Sequence, residues 1–318
     1  MRQAVIDIGT NTCLLLIAEC DQAGSMNIIA DIHAIARLGA GVDKTKQIQP
    51  ESYQRLKNIL LDHKKIITEL QVNSTIAIAT SAMRDADNKN DIIRYVKDDS
   101  GFDVEILSGP DESIWSYRGA ICGLRADELH GRVATLDIGG GSTELSIGEN
   151  GMFLSGKSIN IGAVRIKERY LAIISDESVF SSREFIRSEL QRSFDNLNTN
   201  KLLAVAGTPT ALAAMKLHLK IFDAKKVNGT VLSLQEISEM IEELLALPRI
   251  ALLKNYPAIH PDRADILPSG ALILEELMKY LNLDEVRVST FGLRYGIMIR
   301  EFEKKMKAES NEWTVTRG

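Results

Sequence analysis

Cysteine is scarce in this sequence, and long apolar runs are missing. The 318 residues include three cysteines, Cys13, Cys20 and Cys122, with no C-x-x-C spacing. An odd, scattered set provides neither a disulfide framework nor a structural zinc site, and it suits a reducing compartment. No apolar run approaches the ~20 residues of a membrane-spanning helix, and Asp7 interrupts the stretch where a signal peptide would be apolar. We therefore expect a cytoplasmic protein with no membrane partner.

An excess of basic residues is also missing. The 38 Lys and Arg residues against 43 Asp and Glu residues give a net charge of −5. This balance argues against nucleic-acid binding through a broad basic face, but it leaves room for a local basic cleft. The sequence has no G-x-x-x-x-G-K-[ST], G-x-S-x-G or H-E-x-x-H motif, and its five histidines are scattered. We therefore expect no histidine-metal enzyme.

Two glycine-containing hairpin patterns stand out in what is present. The segment TLDIGGGSTELSIG, residues 135–148, places three successive glycines between two apolar runs, with Asp137 and Glu144 on either side. The segment VIDIGTNTCLLLI, residues 5–17, has the same apolar run, Asp-Ile-Gly and second run about one domain length earlier. The repetition predicts two related halves that each open with a β-hairpin.

Strand and helix patterns alternate in both halves. An amphipathic helix is predicted over 50–70, a buried strand followed by a polar turn over 74–83, and a strand over 103–107. In the second half, helices are predicted at 162–172 and 181–197, and a strand at 202–207. Ser233 and Glu236 form a capping-box pattern, and a long amphipathic helix closes the sequence. This alternation predicts an α/β protein with two domains.

The two hairpin turns have the composition of phosphate-binding loops. Glycine permits positive φ and close approach of the backbone to a ligand, and successive N–H groups form an anion-binding concavity. Thr10, Asn11 and Thr12 in the first loop, and Ser142 and Thr143 in the second, add side-chain donors. Because Asp7 and Asp137 would repel phosphate, they suggest Mg²⁺ or an ordered water. The alternative is a plain hairpin with a turn-favouring Asp.

Other segments offer weaker candidates. Gly207-Thr208 lies between a strand and a helix, where free N–H groups can bind an anion, although Thr208 as a helix cap explains the same residues. Arg84 and Arg37 can grip phosphate, although single arginines are more often on the surface. Glu112 and its neighbour Asp111 fall in the first turn of a helix, where the helix dipole alone favours acids.

Nine segments in order resemble one family. They are AVIDIGTNT, RLGAGV, ATSAMRDA, EILSGPDES, LDIGGGSTELSIG, NIGAVR, AVAGTPTALAA, RADILPSGALIL and VSTFGLRYGI. Together they resemble the exopolyphosphatase / guanosine pentaphosphate phosphatase (Ppx/GppA) family of the actin–sugar kinase–Hsp70 superfamily. The resemblance implies two actin-like (ribonuclease H-like) domains, each a mixed sheet flanked by helices, around a cleft. Domain I would span residues 1–125, with the helix 296–318 returning to it, and domain II would span 126–295.

The resemblance also implies roles for individual residues. Glu112 matches the catalytic acid, and Asp137, Glu144 and Asp7 match acids at a Mg²⁺ or Mn²⁺ site. The expected phosphate-binding residues are Thr10, Asn11, Thr12, Arg37, Arg84, Gly139, Gly140, Gly141, Ser142, Gly207 and Thr208. The sequence departs from the family at Asp111, at Pro209 and at Tyr295, where many relatives have an acid.

The implied activity is removal of the terminal phosphate from inorganic polyphosphate, with guanosine pentaphosphate as the rival substrate. A sugar or acetate kinase would share the fold and the loops. A non-enzymatic actin-like filament or an alarmone-binding protein is the third alternative. The resemblance is also compatible with a homodimer.

Overall fold

Two α/β halves make up the structure. In the computed structural model of the chain, the described residues are 2–21, 26–194, 199 and 201–315, with side chains described as far as residue 306. Each half is built on one mixed β-sheet with helices packed on it, so the predicted fold class is confirmed. Within the described ranges, no helix has both the length and the apolar content needed to cross a membrane.

The first sheet has five strands in the order β3-β2-β1-β4-β5. Strands β1 to β3 pair in antiparallel fashion, and β4 and β5 continue the sheet in parallel. The strands are β1 (Arg2–Ile8), β2 (Thr12–Cys20), β3 (Met26–Ile35), β4 (Ser74–Ala79) and β5 (Val104–Ile106). The helices are α1 (Val42–Thr45), α2 (Pro50–Glu69), α3 (Ser81–Asp85), α4 (Lys89–Ser100) and α5 (Gly109–Ile121).

The second sheet repeats this plan and adds one strand, in the order β8-β7-β6-β9-β11-β10. The strands are β6 (Arg132–Ile138), β7 (Thr143–Glu149), β8 (Met152–Ile159), β9 (Leu202–Val205), β10 (Val231–Ser233) and β11 (Glu285–Val288). The helices are α6 (Ala163–Arg169), α7 (Asp176–Ser193), α8 (Gly207–Lys216), α9 (Ala224–Val227), α10 (Leu234–Ala246), α11 (Arg249–Asn255), α12 (Leu267–Leu281) and α13 (Leu293–Val315). A 3₁₀ turn covers Pro261–Arg263.

The two predicted hairpins occupy equivalent places in the two sheets. Asp7 lies opposite Leu14 across the β1–β2 pair, and Asp137 lies opposite Glu144 across the β6–β7 pair. Each of these first strands also has a parallel neighbour, β4 in one sheet and β9 in the other. The segments that follow these strands therefore leave each sheet at its carboxyl-end edge, where α/β proteins place ligand sites.

Helices α5 and α13 lie between the two sheets. On one face of the first sheet, Val5, Leu16 and Ile78 pack with Ile297 and Met298 of α13. Helix α5 packs through Tyr117, Ile121 and other apolar side chains on the second sheet. Helix α5 thus contacts both the second sheet and α13. The expected domain boundary at residue 125 stays a prediction. The outer faces of the sheets are covered by α2 and α4 in one half and by α7, α8, α10 and α12 in the other.

Glycines bring α5 and α13 into backbone contact. A Cβ added at Gly296 would lie 1.8 Å from the carbonyl oxygen of Trp115, and one added at Gly119 would lie 2.1 Å from that of Gly292. Larger residues cannot occupy either position at this separation of the helices. The close crossing fixes α5, whose first turn carries Glu112.

Three elements differ from the sequence predictions. The polar turn expected after β4 is the short helix α3. Helix α7 begins at Asp176 rather than 181, because Ser175 and Ser178 form a capping box that the apolar pattern does not reveal. Its expected last residues, 195–197, lie outside the described residues. The final helix begins at Leu293 rather than 296, and 316–318 also lie outside them.

Replacing Gly296 by Ala should destabilise the protein by roughly 1–3 kcal/mol, because the added methyl group has to push α13 away from α5. Chemical denaturation measures this loss. Gly292→Ala is the matched control, since the nearest atom to a Cβ there is 3.8 Å away. Equal stability of the two variants would contradict the close crossing.

Candidate functional site

The two hairpin loops meet edge to edge between the two halves. The first loop, Gly9–Asn11, is closed by a 2.8 Å hydrogen bond from the Gly9 N–H to the Thr12 carbonyl. The second loop, Gly139–Ser142, is closed in the same way by a 3.0 Å bond from the Gly139 N–H to the Ser142 carbonyl. A Cβ on Gly140 would lie 2.9 Å from Cβ of Thr10. The loops predicted from sequence are thus brought together.

Space, rather than backbone conformation, explains the three successive glycines. None of Gly139, Gly140 and Gly141 has a positive φ, so of the two properties that suit glycine to such a loop, only the close approach of the backbone applies here. A Cβ on Gly139 would lie 2.9 Å from the Ser142 carbonyl oxygen, and one on Gly141 would lie 2.4 Å from Oγ of Ser81. Each glycine is therefore required by a different close neighbour.

Glu112 is buried next to the second loop and is held by Arg84. Arg84 follows β4 in α3, and its Nη1 donates to Glu112 Oε2 and, at 3.1 Å, to the Leu107 carbonyl. Its Nη2 lies 3.4 Å from Oγ of Ser142. Burial raises the pKa of Glu112 to about 7, although the charge and the hydrogen bond of Arg84 act in the opposite direction. Arg84 thus connects the predicted catalytic acid to the second loop.

Three further buried acids surround this pair. Burial, followed by the charges of Glu112 and Asp137, raises the pKa of Asp7 to about 7. Burial also raises the pKa of Asp137, although Ser116 donates a 2.5 Å hydrogen bond to it. Glu144 accepts a 2.6 Å hydrogen bond from Ser158, and burial with the neighbouring acids raises its pKa well above the usual value. The site is therefore a cluster of carboxyl groups that repel one another.

The first loop contributes backbone contacts and one polar group without a partner. The Asn11 carbonyl accepts hydrogen bonds from Ala36 and Arg37 at 3.0 and 2.9 Å. Among the described residues, Nδ2 of the buried Asn11 has no hydrogen-bond partner, and neither has Oε2 of Glu144. Buried polar atoms normally have partners, so both atoms are available to a ligand. Thr12 is half-buried at the start of β2.

Arg37 does not join the cluster. Its Nη2 pairs with Asp265 at 2.9 Å and donates to the Asp262 carbonyl at 3.1 Å, so it connects the two halves of the molecule. Its positive φ of 48° lets the chain turn after β3. In this structure the Arg37 guanidinium makes a contact between the halves, and its role in phosphate binding stays a prediction.

Gly207 and Thr208 lie beside Asp137, since β9 pairs with β6 up to Asp137 and Val205. The alternative that Thr208 caps α8 is wrong, because the helix begins at Gly207 and Thr208 is buried within its first turn. The cap is Ala206, whose φ of 74° and ψ of −166° fall in a region that is essentially restricted to glycine. Strain of this kind is typical of functional sites.

Arg263 is a site residue that the sequence reasoning missed. A Cβ on Gly207 would lie 0.9 Å from Nη1 of Arg263, so the guanidinium covers this glycine. Burial lowers the pKa of Arg263 to about 10, and no carboxylate of the described residues neutralises it. Its segment, RADILPSGALIL, was among those that carried the family resemblance, but only the fold places its arginine on Gly207. A half-buried, unpaired guanidinium at a helix N-terminus is suited to an anion.

Tyr295, one of the departures from the family, has a structural role. Its hydroxyl donates a 2.8 Å hydrogen bond to Asp31 of β3, and Arg294 binds the same carboxylate through two bonds of 2.9 and 2.8 Å. Asp31 of β3 therefore neutralises the buried charge of Arg294 and accepts two of its hydrogen bonds. Asp111, the other departure at the site, is exposed and accepts a 2.5 Å hydrogen bond from Ser108.

The acids suit Mg²⁺ in chemistry but do not form a complete ligand set. Asp7, Asp137 and Glu144 offer the hard oxygen donors that Mg²⁺ prefers, including the unpartnered Oε2 of Glu144. Within the described residues, no three acidic, His or Cys side chains converge closely enough to hold a metal. Mg²⁺ commonly binds through one or two carboxylates together with water and substrate phosphates. The residues therefore fit an ion that shares its ligands with substrate.

Comparison with known proteins establishes the family. The family model described as the Ppx/GppA phosphatase family matches residues 16–305. The chain belongs to the Ppx/GppA phosphatase family. It is 30% identical over 317 residues to Exopolyphosphatase 2 of Mycobacterium tuberculosis, a match that covers 94% of this chain and 98% of that protein. It is also 30% identical to the bifunctional 3-dehydroquinate synthase/phosphatase of Fusobacterium nucleatum, where it covers 95% of this chain but 47% of that longer protein.

Solved structures of Ppx/GppA proteins share the fold. The Aquifex aeolicus family member superposes with a TM-score of 0.80 at 29% identity, covering 96% of this chain and 98% of that one. An exopolyphosphatase from Cytophaga hutchinsonii gives a TM-score of 0.86 at 25% identity, covering 96% and 98%. The resemblance inferred from the nine segments is confirmed.

The carboxyl cluster should make the metal-free protein less stable as the pH rises. Asp7 and Glu112 keep their protons to about pH 7 when folded, whereas unfolded carboxyl groups lose them near pH 4. The folded state therefore binds more protons between these values, and stability present at low pH is lost as pH rises through about 7. We expect the melting temperature in the presence of a chelator to fall between pH 5 and 8.

In Glu112→Gln, the free energy of unfolding should fall less between pH 5 and 8, by on the order of 1–3 kcal/mol, because an amide does not titrate. Glu242→Gln, a substitution on the exposed face of α10, is the control and should leave the slope unchanged. An unchanged slope in Glu112→Gln would show that Glu112 does not titrate with a raised pKa.

Proposed function

We propose that this Ppx/GppA protein releases the terminal phosphate of inorganic polyphosphate by hydrolysis. The observation that carries the proposal is the buried Glu112 carboxyl group, held by Arg84 beside two apposed glycine loops. Exopolyphosphatase relatives that match nearly the whole chain support the substrate.

The two loops and two arginines are suited to hold the end of a polyphosphate chain. Backbone N–H groups of the loops, the Nδ2 donor of Asn11 and the hydroxyl of Ser142 can donate to phosphate oxygens. Arg84 and Arg263 add guanidinium groups that match phosphate geometry. The N-terminus of α8 at Gly207 adds the positive end of a helix dipole. We assign these groups to substrate phosphate binding.

Glu112 is assigned the role of general base. A carboxyl group with a pKa of about 7 is near the value that best suits a base at neutral pH. In the proposed step, a water oxygen bonds to the terminal phosphorus, the anhydride P–O bond breaks, and Glu112 accepts the proton of the water. Orthophosphate and a chain shorter by one phosphate leave. The hydrogen bond from Arg84 fixes the carboxyl group for this step.

We further propose that Asp137, Glu144 and Asp7 hold Mg²⁺, with Mn²⁺ as a substitute. When bound, the ion would neutralise phosphate charge that four buried acids otherwise repel. The unpartnered Oε2 of Glu144 supports this assignment. We also propose that the protein acts in the cytoplasm and forms a homodimer. We propose that it does not bind nucleic acid.

Guanosine pentaphosphate is the second candidate substrate. The chain is 27% identical to a guanosine-5'-triphosphate,3'-diphosphate pyrophosphatase of Pseudoalteromonas translucida, covering 93% of this chain and 58% of that protein. Hydrolysis of its terminal 5'-phosphate requires the same base, loops and arginines. A kinase would instead phosphorylate an acceptor with ATP, and a filament protein would sediment with nucleotide.

Phosphate release from long polyphosphate, short polyphosphate and guanosine pentaphosphate, with and without Mg²⁺, tests the proposal. Glu112→Gln should lower kcat by ~10²–10⁴-fold while substrate binding is largely retained, because the amide cannot accept the proton. Asp111→Asn changes the adjacent exposed acid and should retain most of the activity. Near wild-type polyphosphate hydrolysis by Glu112→Gln would contradict the assignment of the base.

A further inference from the structure

Arg165 is a buried arginine whose side chain contacts both halves of the molecule. Only 6% of the side chain is exposed. Its Nε donates a 2.8 Å hydrogen bond to the carbonyl of Gly141 in the second loop. Its Nη2 bonds Asp85 at 2.6 Å, and its Nη1 bonds Asp43. A single guanidinium thus joins a phosphate loop to two acids of the first half.

Each of these three partners lies close in the chain to a residue of the site. Asp85 immediately follows Arg84, the residue that holds Glu112. Asp43 lies in α1, four residues after Gly39, whose N–H donates a 2.8 Å bond to the Thr10 carbonyl. Gly141 belongs to the loop that meets Thr10. Arg165 therefore links the second loop, which contacts Thr10 of the first loop, to the segment that carries Arg84.

The backbone of α6 reinforces this arrangement. The N–H groups of Ala163 and Val164 bond the carbonyls of Gly139 and Gly140 at 2.9 and 2.8 Å. The loop is therefore fixed to the first turn of α6, and the Arg165 side chain fixes this turn to α1 and α3. The Arg165 side chain and the backbone of α6 therefore hold the carbonyl groups of the second loop together.

We propose that Arg165 is a positioning residue that aligns the second phosphate loop with the Arg84–Glu112 pair across the two halves. The proposal rests on the proposed phosphohydrolase function, in which the loop holds the phosphate that Glu112-activated water attacks. Arg165 does not itself contact the reacting atoms. It sets the distance between two parts of the site that belong to different sheets.

Arg169 separates this role from that of an ordinary interdomain ion pair. Arg169 lies one turn further along α6 and binds the same Asp43, with bonds of 2.5 and 2.8 Å. Its side chain is 38% exposed, and its described hydrogen bonds go to Asp43 alone. Loss of Arg169 removes an ion pair between the halves and leaves the bonds of Arg165 to Gly141 and Asp85 in place.

Hydrogen exchange tests the positioning role without any substrate. The N–H groups of Gly139, Ala163 and Val164 are bonded within the loop and to it. In Arg165→Met their exchange should accelerate by on the order of tenfold, because the link that fixes the loop is lost. Arg169→Met should exchange like the wild type. Equal protection in wild type and Arg165→Met would overturn the proposal.

Kinetics provide the second readout. Arg165→Met should lower kcat for phosphate release by on the order of 10²-fold, with a much smaller change in KM, since misplacement affects the attack more than binding. Arg165→Lys should recover part of kcat, because a lysine keeps the charge but cannot make the planar three-way contact. Arg169→Met should stay near wild type. An equal loss of kcat in Arg165→Met and Arg169→Met would show that Arg165 contributes only an ion pair between the halves, which would contradict the proposal.

A double-mutant cycle guards against simple misfolding. Asp85→Asn weakens the same link from the other half, so Arg165→Met with Asp85→Asn should cost less in kcat than the product of the two single effects. Multiplicative effects would contradict a shared role. If the wild-type protein releases no phosphate from any substrate, the proposed function fails, whereas the exchange measurement still decides whether Arg165 fixes the loop.

Discussion

Four carboxyl groups are buried together where the two glycine loops meet, and the rest of the site has to offset their mutual repulsion. They belong to Asp7, Glu112, Asp137 and Glu144, and burial raises the pKa of each. Arg84 is bonded to Glu112, and the charge of Arg294 lowers the pKa of Asp7. Such a cluster is unfavourable as a structural element, and it becomes useful when a cation and phosphate oxygens enter it. The same burial that destabilises the charges gives Glu112 a pKa suited to a base at neutral pH.

The fold produces this cluster by duplication. Each sheet ends its first strand with Asp-Ile-Gly, turns through a loop closed by the same hydrogen bond, and places a parallel neighbour beside that strand. Helices α5 and α13 pack between the sheets through glycine contacts and hold Glu112 at the end of one of them. Arg165 joins the second loop to Asp43 and Asp85 of the first half. The site is therefore an interface, and its geometry depends on contacts between the halves as much as on the loops themselves.

The sequence predicts most of the local features and few of the contacts between the halves. The repeated Asp-Ile-Gly, the apolar strands and the capping box at Ser233 are local patterns, and the hairpins and helix α10 follow from them. The glycine run also predicts a tight loop, but its cause is crowding by Ser142, Thr10 and Ser81, which come from three separate segments. The roles proposed for Arg263 and Arg165 depend on neighbours far along the chain, and so does the pairing of Arg37 with Asp265. No periodicity in the sequence carries such information.

The proposed hydrolysis requires water to attack the terminal phosphorus of a phosphate chain held between the loops. Hydrolysis of linear tripolyphosphate in ¹⁸O-labelled water, followed by mass spectrometry of both products, tests this point most directly. We expect one ¹⁸O atom in the released orthophosphate and none in the remaining diphosphate. Label in the diphosphate would show attack at an internal phosphorus, and unlabelled products would show transfer to another acceptor; either result would contradict the proposed hydrolysis.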